Sequence, residues 1–138
     1  MADEAELRTQ VRGQEAQKAE HEREKRNLED QIIRLQAAEK KVQAEKKIIY
    51  ALKDAVAQQR NPDKKHWDGN MKTQYKDFIS NDFKADYQTY FKAVDTMQDT
   101  ISRKITFLQN QASDLTGIIG VLTRSINSLW GEIKTLFN

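Results

Sequence analysis

Eleven apolar side chains (Ile101, Ile105, Leu108, Ala112, Leu115, Ile119, Leu122, Ile126, Leu129, Ile133 and Leu136) recur at alternating spacings of four and three residues without a miss. That period of 3.5 is a coiled-coil seam, so the segment must be a helix whose stripe lies against other helices. Gly117 and Gly120 fall inside the stripe without breaking its phase. Each costs about 1 kcal/mol in a helix interior. One helix from about residue 71 to about residue 137 is expected. A bend, or a break into a third short helix, at the two glycines is the alternative.

A first helix is expected from about residue 3 to about residue 60. Leu28, Leu35, Val42, Ile49 and Val56 stand seven apart, and this stretch holds one glycine, Gly13, and no proline. Glu4–Arg8, Glu22–Arg26 and Asp30–Arg34 place an acid one turn ahead of a base, which supports a helix. The chain's single proline, Pro62, pushes Asn61 out of the helical region. Residues 61–70, containing Trp67-Asp68-Gly69, then read as the turn of an all-α antiparallel hairpin that forms one domain over 1–138.

Folding the chain at residue 66 sets Val56 opposite Lys76, Ile49 opposite Phe83, Val42 opposite Tyr90 and Leu35 opposite Met97. The far half has no such match. Between Ala2 and Asn27 only Leu7 and Val11 are large and apolar, whereas residues 101–137 are rich in them. An uncovered stripe of that size marks an interface. Ile105, Leu108, Leu115, Ile119, Leu122, Ile126, Leu129, Ile133 and Leu136 are therefore expected to contact another chain, with self-association or the three-helix fold-back as the plainer outcome.

Several classes are excluded by composition. The 23 Lys and Arg nearly balance the 21 Asp and Glu, which argues against a nucleic-acid binder. No cysteine means no disulfide and no thiolate chemistry. His21 and His66 are isolated, with no His-Glu-x-x-His and no phosphate loop, so no enzyme, cofactor or metal site is expected. Asp77, Asp82, Asp86, Asp95 and Asp99 read as a charged helical face. The N-terminus carries no signal-peptide pattern and no segment reaches membrane-spanning length, so the expectation is a cytoplasmic protein. Residues 115–137 carry too few bases for a strong membrane-surface helix.

Helix, Trp67-Asp68-Gly69, helix resembles the WXG superfamily of small helical hairpins handled by bacterial type VII secretion. The C-terminal stretch from Ile126 to Asn138, with Tyr87-Gln88-Thr89-Tyr90-Phe91, resembles the YwqH-like family encoded beside LXG polymorphic toxins. The resemblance implies a non-enzymatic partner that binds the helical N-terminal LXG domain of a toxin and helps target it for export. It also implies a second small helical accessory protein as a further partner, contact with the secretion machinery, and a place in the bacterial cytoplasm, from which the chain either is exported with the toxin or stays behind.

The accessory proteins it resembles use Phe-x-x-x-Asp as a mark for the machinery. Phe91 with Asp95 is the first choice, because Phe91 continues the seam backward through Val94 and Tyr87. Phe78 with Asp82 is the second. Tyr50 with Asp54 matches the related Tyr-x-x-x-Asp, on the first helix rather than after the second. A ring and a carboxylate four apart share a helical face, so a seam aromatic beside a solvated acid explains each match equally. Trp67 and Gly69 are either a recognition feature or a cover for the helix ends. A self-assembling structural coiled coil, homo-oligomeric when alone, is the alternative function.

Overall fold

The computed structural model describes residues 3–58, 73–74 and 76–137. Pro62, His66, Trp67, Gly69 and the rest of the expected 61–70 turn lie outside the described residues. The fold is an all-α helical hairpin. Helix α1 spans Glu4–Gln58 and helix α2 spans Lys84–Leu136, preceded by a π-helical segment, Phe78–Phe83. The sequence pattern had not distinguished that segment from α-helix.

Helix α1 begins where Asp3 caps it: the Glu6 N–H donates to Asp3 Oδ1 at 2.8 Å. Glu4 and Glu6 in the first turn suit the positive end of the helix dipole. Its packing stripe is longer than its apolar residues suggest. Positions 7, 11, 14, 18, 21, 25, 28, 32, 35, 39, 42, 46 and 49, again four and three apart, are all buried or half-buried. The seam therefore does not fade towards the N-terminus; it continues through Gln14, Lys18, His21 and Lys25.

Helix α2 runs without interruption through Gly117 and Gly120, so the break into a third helix does not occur. On either side of the glycines the Thr116 and Thr123 hydroxyls donate to the Ala112 and Ile119 carbonyls, at 3.0 and 2.8 Å.

The chain divides into two compact units. One comprises Gln36–Arg103. Its core is Val42, Ile49 and Val94, with Tyr87, Phe91 and Ile101 packed against it. The other comprises Met1–Leu35 and Lys104–Asn138. Here Leu7, Val11, Ile126, Leu129 and Ile133 form one cluster, and Ile32, Ile105, Leu108 and Ala112 are also buried. The helices are antiparallel in both units.

The pairing register differs from a fold at residue 66. Lys46 meets Asp95, nine residues beyond Asp86, where that fold would put it. Glu39 meets Ser102 and Tyr50 meets Phe91, with the same offset. Val42 and Ile49 accordingly pack with Val94, Phe91 and Tyr87. The cross-helix fit of side chains sets this register, and a turn motif fixes it only if the turn's length is known.

Candidate functional site

In the Gln36–Arg103 unit the first-choice pair closes on α1. Lys46 Nζ donates to Asp95 Oδ1 at 2.6 Å and to Gln98 Oε1 at 2.7 Å. The same ammonium lies 5.5 Å from the centroid of the Phe91 ring, within cation–π range. Phe91 stands edge-on to Tyr50, centroids 5.1 Å apart, and stacks on Tyr87 at 6.0 Å. Lys53 covers Tyr87 at 5.6 Å. Ring and carboxylate thus share one helical face, as their spacing requires, and both are engaged by α1.

The charges respond to these contacts. The hydrogen bond to Asp95 holds the Lys46 ammonium above the ordinary lysine range, against the opposing effect of burial, and the charge of Asp95 adds to it. Burial pushes the Tyr87 phenol up, and Tyr50 and Asp54 contribute in the same direction. Lys46 was not singled out in the sequence; its place four residues after Val42 and three before Ile49 in the α1 stripe was the available signal.

The other two motif matches are placed differently. Phe78 and Asp82 sit in the π-helical segment, both exposed. Among the described residues Asp82 carries no ion pair and Phe78 no ring contact. Tyr50 is half-exposed beside Phe91, and Asp54 faces solvent.

In the unit formed by the chain's two ends, the expected contact stripe is largely covered by α1. Ile105, Leu108, Ile126, Leu129 and Ile133 are buried, between 3 % and 9 % exposed. The expectation that this stripe lacks an apolar match within its own chain is therefore corrected. The register brings Leu7 and Val11, the two large apolar residues of the N-terminal stretch, onto Ile126, Leu129 and Ile133. Arg8 adds its guanidinium over the Trp130 ring at 5.8 Å.

The match fails between those ends. Leu115, Ile119 and Leu122 stay half-buried, and the facing stretch of the α1 stripe is Gln14, Lys18, His21 and Lys25. Gln14 Oε1 and His21 Nδ1 are buried without a hydrogen-bond partner, an arrangement that costs free energy. Beside this stretch an open groove is lined by Gln17, His21, Asp114, Gly117, Ile118 and Val121. Ile118 and Val121 are 43 % and 57 % exposed. Outward-facing apolar residues were missed in the sequence because they fall outside the seam's phase; Leu136, the last seam residue, is half-exposed.

Among the described residues no three His, Asp or Glu side chains gather as a metal site, and no helix is long and apolar enough to cross a membrane. A family model described as YwqH-like matches residues 9–130. No curated protein and no solved structure matches the chain.

Proposed function

We propose a function for a chain that belongs to the YwqH-like family: it is a non-enzymatic partner that binds the helical N-terminal LXG domain of a polymorphic toxin and helps deliver it to bacterial type VII secretion. The observation that carries this reading is the half-buried seam residues Leu115, Ile119 and Leu122 with the exposed Ile118 and Val121 beside them. Covering a leucine or isoleucine is worth about 1.5–3 kcal/mol, so a partner helix has a reason to seat there. The buried residues Ile105, Leu108, Ile126, Leu129 and Ile133 serve instead to hold the chain's own helices together. Phe91 with Asp95 or Phe78 with Asp82 supplies the mark for the machinery, and Trp67 with Gly69 serves as the WXG-like recognition feature. The chain acts from the bacterial cytoplasm and leaves with the toxin; a second small helical protein completes the complex. Co-expression with an LXG domain tests this: the two are expected to co-purify, and separate elution would refute it.

A second reading is self-assembly, favoured by Ile48, Leu52, Tyr90 and Met97, all exposed in the Gln36–Arg103 unit. Light scattering of the chain alone decides it, because a stable monodisperse oligomer supports self-assembly and a monomer rules it out.

A further inference from the structure

We infer that the groove beside Gly117 is the seat of a single amphipathic helix from another chain, one that is basic at one end, apolar in the middle and acidic at the other. Three observations converge on it. Across Gly117 the groove is open, since a Cβ built there would meet nothing within 4 Å, and a helix can approach the α2 backbone closely at such a point. Ile118 and Val121 form its apolar floor, both exposed and on one face of α2.

The third observation is charge. Asp114 stands at one end of this floor and Arg124 at the other, both exposed and both lining the groove. Neither has an ion-pair partner among the described residues. Glu24 joins Asp114 in the adjoining depression, so that end is acidic. Ten residues of helix separate the two ends, about 15 Å, the length of nearly three turns. An occupant of matching polarity sets a base over Asp114 and Glu24, an acid over Arg124, and two or three apolar residues between.

Along α1 the groove is bordered by Gln17 and His21 rather than by apolar residues. A third helix laid against α2 therefore completes the apolar cover that α1 leaves unfinished, without displacing α1. This inference deepens the toxin-partner reading and rests on it for the occupant's identity as a helix of the LXG domain.

The test uses the full chain and a labelled, stapled helical peptide with leucines at a and d positions, lysines at one end and glutamates at the other. Fluorescence anisotropy is expected to give saturable binding. V121E, at an exposed position, is expected to weaken it at least tenfold, with helicity checked by circular dichroism. R124E is expected to weaken it several-fold, and a peptide whose glutamates are replaced by lysine is expected to restore binding to R124E. Absence of saturable binding, an unchanged affinity for V121E, or a failed rescue would each overturn the inference. If the peptide behaves as expected but the LXG domain does not associate with the native chain, the toxin reading alone falls. If the LXG domain associates equally with native chain and V121E, the groove is not its seat.

Discussion

Lys46 and Asp95 are joined across the hairpin by a 2.6 Å ion pair, and the same lysine caps the ring of Phe91. The residues that read as an export mark are therefore also part of the contact between the helices. A loss of export on changing Asp95 has two explanations, a missing signal or a weakened hairpin, and the lysine separates them.

In a double-mutant cycle, D95A is expected to lower the thermal midpoint of the native chain but to have little further effect in a K46M background, where the pair is already gone. If D95A still blocks toxin export in K46M, the carboxylate is read by the machinery. If export then survives, its role is confined to the hairpin.

Alkaline pH should loosen the Gln36–Arg103 unit. Lys46 and Tyr87 both hold their protons more tightly in the folded chain than in the unfolded one. Their contribution is complete below the ordinary values near about pH 10 and is lost as pH rises through the raised folded values. Urea midpoints are expected to fall above that point, and D95N should flatten the decline. A midpoint that does not change with alkaline pH would contradict the contacts assigned to Lys46.

Truncation of Leu129 should act locally. L129A removes a 9 %-exposed side chain from the cluster with Leu7 and Val11, at a cost of about 2–5 kcal/mol. Hydrogen exchange is expected to accelerate at residues 4–14 and 122–133 while protection around Val42 and Ile49 persists. Uniform loss of protection would show that the two units do not open separately.

Replacement of His21 by leucine should stabilise the chain. It removes a buried nitrogen without a partner and adds apolar area facing the half-covered Ile119 and Leu122. A gain of about 1–3 kcal/mol in urea unfolding is expected. A loss would mean that the imidazole has a partner in solution.

Much of this molecule was legible because a helical seam declares itself by period alone. Ile101 to Leu136 never leaves phase, and α2 follows it through both glycines. The α1 stripe was legible where Leu28, Leu35, Val42 and Ile49 mark it; further toward the N-terminus Gln14, Lys18, His21 and Lys25 occupy core-facing positions with side chains that look solvated. Register was the harder quantity. Pairing Lys46 with Asp95 rather than Asp86 depends on which side chains fit across the helices, information that no single helix contains. The groove at Gly117 was illegible for a related reason: Ile118 and Val121 are unremarkable along the sequence and become a surface only when α1 leaves them uncovered.

Leu7 and Val11 close the end of the molecule where the chain starts. A polar, charge-rich opening like this invites trimming in an expression design, yet cutting before residue 12 would unfasten the clasp over Ile126, Leu129 and Ile133. A version lacking those residues should be stickier and less soluble than the 138-residue chain, and the added stickiness would be easy to mistake for an authentic binding activity.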